Sequence, residues 1–150
     1  MNKPLTSPRR QLRLVDLENL VGCPVVTLDQ ATTVARRLEA ALPLGSTDLQ
    51  AVASAHVSGF AAKAAFPGAS VKWRSGKDGA DLALLDCAGQ LPLTSFDELV
   101  IASADGIFAR LITEAKSAGL TVTLVADTAR ASRRFMSLAD SVIAFPAVAA

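Results

Sequence analysis

The chain has 150 residues, 51% of them hydrophobic and 19% charged, with a formal net charge of +1. That is long enough for one domain with a sizeable core and too apolar for a disordered chain. The charge balance gives no global pull toward nucleic acid, and no apolar run approaches the roughly 20 residues of a membrane span.

Residues 1–10 are polar, carry two prolines and have no apolar signal-peptide core, so they read as a flexible lead-in, followed by a single domain over 11–150. A cytoplasmic location is the expectation. "LRLVDL" predicts a first strand. The acid and amide that follow it, Asp16 and Asn19 in "LVDLENL", are poor strand residues and good turn residues. This predicts a central strand that delivers Asp16 to the sheet rim where open α/β sheets bind their ligands.

"QATTVARRLEAAL" reads as a helix with Val34, Leu38, Ala41 and Leu42 on one side, and Gly45 stops it. "LQAVASA" predicts a second strand and "VSGFAAKAAF" a short Ala-rich helix ended by Pro67 and Gly68. "ASVKWRS" alternates apolar and basic residues, as an edge strand does, and "GADLALLDCAG" predicts a helix after the polar loop "SGKDG". Strand "ELVIASA", helix "GIFARLITEAKSAG", strand "LTVTLVA", helix "ASRRFMSLA" and strand "SVIAF" complete the pattern. Strands alternating with helices predict βαβ units and a parallel sheet.

Three acids take equivalent places in this scheme. Asp16 ends the first strand, Asp105 follows the apolar run "LVIASA", and Asp81 begins a helix. Clustered carboxylates repel one another unless a cation sits among them, and a hard divalent ion with oxygen ligands is the usual solution. Taken singly, Asp81 and Asp105 also read as plain helix-start residues.

Other chemistry finds little footing. Cys23 and Cys87 form no CxxC pair and read as small hydrophobes, with a catalytic thiol as the alternative. His56, the one histidine, has no nucleophile marked beside it. "SGKDG" fails as a P-loop because Val71 and Asp78 stand where Gly and Ser or Thr are needed. A haloacid-dehalogenase-type start at Asp16 fails because Glu18 replaces its second Asp. Three basic clusters, Arg9, Arg10 and Arg13, then Lys72, Arg74 and Lys77, then Arg130, Arg133 and Arg134, read singly as solvated surface.

Four segments in order resemble the NYN-domain branch of the PIN-like ribonucleases: "LVDLENL", "GKDGADLALLD", "LVIASADGIFARLITEAKSAGLTV" and "ASRRFMSLADSVIAF". The resemblance implies a Rossmann-like three-layer α/β sandwich with a central, mostly parallel sheet. It also implies a nuclease acting on RNA with Mg²⁺ or Mn²⁺, held by Asp16, Asp81 and Asp105 as metal-binding catalytic acids. Asn19 and Ser103 would hold the site or contact substrate, and Lys77, Arg130, Arg133 and Arg134 would bind flanking phosphates. The chain departs from the family at Ile107, where members often carry a further Asp. The alternative is therefore a PIN-like module with weak or no catalysis that binds RNA or a protein partner. A chain this rich in Ala and Leu could also bury a patch in a second copy, so a homodimer is a further expectation.

Overall fold

The apolar runs become strands because their side chains are covered from both sides. The computed structural model of the chain describes residues 9–149. Its elements run β1 (Gln11–Asp16), α1 (Leu17–Val21), α2 (Leu28–Ala41), β2 (Leu49–Ser54), α3 (Gly59–Ala65), β3 (Ser70–Trp73) and α4 (Gly79–Gly89). They continue with β4 (Glu98–Ala102), α5 (Ala109–Ser117), β5 (Thr121–Ala126), α6 (Arg133–Leu138) and β6 (Ser141–Ala144).

All strand pairings are parallel, in the order β3-β2-β1-β4-β5-β6. Alternation along β1 and β4 sends Leu12, Leu14, Leu99 and Ile101 to one face, where Leu84 of α4, Ile112 of α5 and Phe135 of α6 cover them. Val15, Val100 and Ala102 face the other way, against Leu20 of α1, Val34 of α2 and Ala62 of α3. This is the three-layer α/β sandwich expected from the sequence. Successive connections run outward to one side of β1 through β2 and β3, and to the other side through β4, β5 and β6. The crevice between the C-terminal ends of β1 and β4 is therefore the topological switch point, the favoured ligand site of such sheets.

Local signals explain where the elements begin. α2 starts two residues before the expected "QATTV", at Leu28. Thr27 caps it by accepting from Gln30 N while Gln30 Oε1 accepts from Thr27 N, a reciprocal capping box. Its covered stripe is Ala31, Val34 and Leu38, whereas Ala41, expected on that side, is exposed. The residues after Asp16 form a short helix, α1, instead of an open turn. Of the lead-in, residues 1–8 lie outside the described residues. Arg9 donates to Thr121 Oγ1 at 2.9 Å, and Arg10 stacks 4.6 Å over the Phe96 ring.

Arg13 corrects the reading of the first basic cluster. It is only 1% exposed. Its Nε donates to Gln11 Oε1 at 3.0 Å, and its other nitrogens reach Gln50 Oε1 and the carbonyl at Leu42, which ends α2. Burial pushes its pKa down, and the charges of Glu39, Asp48 and Glu98 oppose that shift. Strand alternation makes the reason plain: Arg13 shares the face of Val15 and lies beneath α2, so the backbone placed it inside and amide and carbonyl oxygens satisfy it. Arg13→Ala leaves those acceptors without a donor and opens a cavity. Urea denaturation should show a loss of about 3 kcal/mol with an unchanged m-value. A loss below about 1 kcal/mol would mean that the α2–β1 contact does not depend on this side chain.

Candidate metal centre

The site begins with strand endings. Asp16 is the last residue of β1 and Ser103 directly follows β4, so the switch-point crevice holds them side by side. Ser103 Oγ donates to Asp16 Oδ2 at 3.1 Å and accepts from Asp105 N at the same distance. One hydroxyl thus ties the two acid-bearing strand ends together. Asn19 on α1 adds a second tie, accepting from Ala104 N at 2.9 Å, while Arg130 donates to the Asn19 carbonyl at 2.9 Å. Ser103 is fully buried, with its hydroxyl engaged by both acid-bearing segments.

Asp81 arrives from α4 and presses its carboxyl against those of Asp16 and Asp105. It is 6% exposed, and among the described residues no N–H or hydroxyl reaches its Oδ1. Burial and the two neighbouring carboxyls push its pKa up to about 10. Burial also raises Asp16, against the hydrogen bonds it shares with Asp81, Ser103 and the Asn19 backbone. In the metal-free protein the Asp16–Asp81 pair therefore retains a proton, with Asp81 as its carrier.

Two acids that the motif reading left out join the cluster. Asp78, the residue before α4, offers a carboxylate oxygen within 4.8 Å of those of Asp81 and Asp105. It is the one described non-glycine residue with positive φ, at 56°. The tight turn that presents it depends on Gly79, because a Cβ there would stand 2.4 Å from the Arg74 carbonyl oxygen. Glu18 on α1 faces the same cleft. One of its oxygens accepts from Ala55 N, the other is buried without a partner among the described residues, and burial raises its pKa. The "DG" before a helix was a legible signal for Asp78. Glu18 had none, since only the unexpected helix α1 turns it inward.

Asp16, Glu18, Asp78 and Asp81 line a cleft of about 410 Å³ whose walls also carry Arg74 and Arg130. Arg74 pairs with Asp86 at 2.9 Å on the cleft's flank. Lys77 and Arg133 are exposed and lie outside the lining, and Arg134 lines a separate depression between α5 and α6. Asp105 combines both of its readings: Oδ1 accepts from Ile107 N at 3.0 Å as a cap, and its carboxyl also meets Asp81.

The gathered carboxylate oxygens of Asp78, Asp81 and Asp105, with Asp16 against Asp81 and one buried Asp81 oxygen lacking a donor among the described residues, fit a hard divalent cation. Ile107, where the resemblance leads one to expect a further Asp, points elsewhere. It packs against the apolar cluster and lines a hollow with Leu85, Leu91 and Leu93. Ile107→Asp should therefore leave Mn²⁺ affinity in titration calorimetry unchanged while lowering the melting temperature. Tighter Mn²⁺ binding would show that position 107 reaches the ion.

The Asp81 proton makes a further prediction for chelator-treated protein. An unfolded Asp titrates near 4 and folded Asp81 near 10, so the folded state holds this proton more tightly. The stability it contributes is complete below about pH 4 and is lost as pH rises toward 10. Asp81→Asn removes that dependence. Melting scans should show the variant gaining steadily on the wild type as pH rises from about 5 to about 8.5. A pH-independent difference would contradict the assignment.

The comparisons with known proteins agree with this geometry. A crystal structure of a protein of unknown function from Vibrio parahaemolyticus superimposes with a TM-score of 0.65 at 14% identity, over 95% of this chain and 96% of that one, which establishes the shared fold. No curated protein matches the chain. The NYN domain family matches residues 31–146, a span that includes Asp78, Asp81, Ser103 and Asp105, while Asp16 and Asn19 precede it and join the site through β1 and α1. The chain belongs to the NYN domain family, a family of PIN-like nucleases.

Proposed function

We propose that the protein is a divalent-metal-dependent ribonuclease that hydrolyses RNA phosphodiester bonds in the cleft between β1 and β4. The observation that carries this reading is Asp81, a buried carboxyl held against two others with an oxygen that no donor among the described residues reaches. Asp16, Asp81 and Asp105 would hold Mg²⁺ or Mn²⁺, with Asp78 completing the oxygen set from the exposed side. A divalent ion in such a set polarises the scissile phosphate and lowers the pKa of an attacking water.

The chain's own residues supply the rest. Ser103 fixes the separation of Asp16 and Asp105 through its two hydrogen bonds. Asn19 holds the backbone after β4 in place. Arg74 and Arg130, on the cleft walls, offer guanidinium donors to the phosphates on either side of the scissile bond. Lys77, Arg133 and Arg134 lie farther out and would meet phosphates along the strand without reading bases. The unpartnered Glu18 oxygen is free to accept a hydrogen bond from water in the cleft. A module that only bound RNA would gain nothing from four gathered carboxylates, which repel phosphate unless a cation neutralises them.

The test is cleavage of a labelled RNA with Mn²⁺, with and without chelator. Wild type should cut only with metal. Asp16→Asn should reduce the rate roughly 100-fold or more, and Ser103→Ala, which loosens the acids without removing one, about 10–100-fold. Cleavage that survives either chelator or Asp16→Asn would contradict the reading.

A further inference from the structure

Of the six phenylalanines and one tryptophan in the chain, five phenylalanines are buried, and only Phe60 and Trp73 stay out of the core, at 78% and 46% exposure. They stand together. Phe60 on α3 and Trp73 at the C-terminal end of edge strand β3 line one hollow with His56, Gly59, Lys63 and Ala64. Its volume is about 450 Å³, and no acidic residue lines it.

The hollow adjoins the acidic cleft. Trp73 lines the first and the next residue, Arg74, lines the second, and the same holds for His56 and the preceding Ala55. The indole is held in place from beneath. A Cβ on Gly59 would stand 2.8 Å from Trp73 Nε1 and 3.0 Å from Cδ1 and Cε2, so only glycine lets the ring lie this close to α3. Two aromatic rings left in water cost solvation free energy that a core position would have avoided. A flat apolar ligand would recover it, and the cations at the rim select for one that carries negative charge.

We propose that this hollow is a stacking subsite for an unpaired nucleobase of the RNA whose backbone enters the metal cleft. The inference rests on the nuclease reading and deepens it, because it makes single-stranded RNA the substrate class. Aromatic side chains stack on any base, which gives affinity with little sequence preference, whereas paired bases keep their faces inside the duplex. Lys63 at the hollow and Arg74 between hollow and cleft face the phosphates that join the stacked nucleotide to the scissile one.

Trp73 is the only tryptophan and the chain has no tyrosine, so its fluorescence reports the hollow directly. A short single-stranded oligouridylate, added in chelator so that it stays intact, should quench Trp73. The same length with abasic sugars, or annealed into a duplex, should not. Phe60→Ala, at a position exposed enough to leave the fold intact, should weaken single-strand binding measured by anisotropy by roughly 5- to 150-fold. If RNA is bound and cut while Trp73 stays silent and Phe60→Ala binds like wild type, the subsite is overturned and the nuclease reading stands. Quenching by the single strand without any metal-dependent cleavage would leave the subsite standing and overturn the nuclease. Equal quenching by abasic RNA would overturn stacking. Self-association seen in sedimentation and lost in Phe60→Ala, with no quenching by RNA, would assign the hollow to a second copy and overturn the proposal.

Discussion

A buried carboxyl held against two others at the end of a buried sheet is an arrangement that electrostatics opposes, and the architecture around it enforces it. Asp16 and Asp105 come from strand ends that Ser103 ties together, and α4 pushes Asp81 between them. Burial first, and then the neighbouring Asp16 and Asp105 carboxyls, push the Asp81 pKa up to about 10, so without a cation a proton on Asp81 is the way the repulsion is relieved. The proton is the weaker of two solutions. A divalent cation would neutralise more charge and would also satisfy the oxygen that no donor among the described residues reaches.

The parallel sheet creates the crevice in the first place. Because connections leave β1 and β4 in opposite directions, no helix crosses the gap between their C-terminal ends. Buried apolar strands on both faces make that gap rigid, so acids at the strand ends cannot swing apart to lower their repulsion. Around this fixed centre the more adaptable parts are arranged: the turn before α4 with Asp78, α1 with Glu18 and Asn19, and the two arginines of the cleft walls. Fold and site therefore share one cause, the point where strand order reverses.

Much of this was legible in the sequence, and the exceptions have physical reasons. The apolar runs before the acids in "LVD" and "LVIASAD" carry β1 and β4, since period-2 burial follows from backbone geometry, although β4 stops at Ala102 instead of running through Ala104. Arg13 was misread because a charged residue in a short cluster suggests solvent, and only strand pairing reveals that α2 lies over it. The places of Glu18 and Arg74 at the cleft depend on how a short helix and an edge strand turn, which no local pattern records. Ile107 suggested a gap in the acid set. The structure points its side chain into an apolar layer and supplies a carboxylate from Asp78 instead.

The most direct test is calorimetric titration of the protein with Mn²⁺ near neutral pH, repeated in buffers of different ionisation enthalpy. Metal binding must expel the proton that Asp81 carries, so wild type should release close to one proton per ion, and Asp81→Asn should bind Mn²⁺ far more weakly and release none. Absence of Mn²⁺ binding, or equal affinity and equal proton release in wild type and Asp81→Asn, would contradict the account.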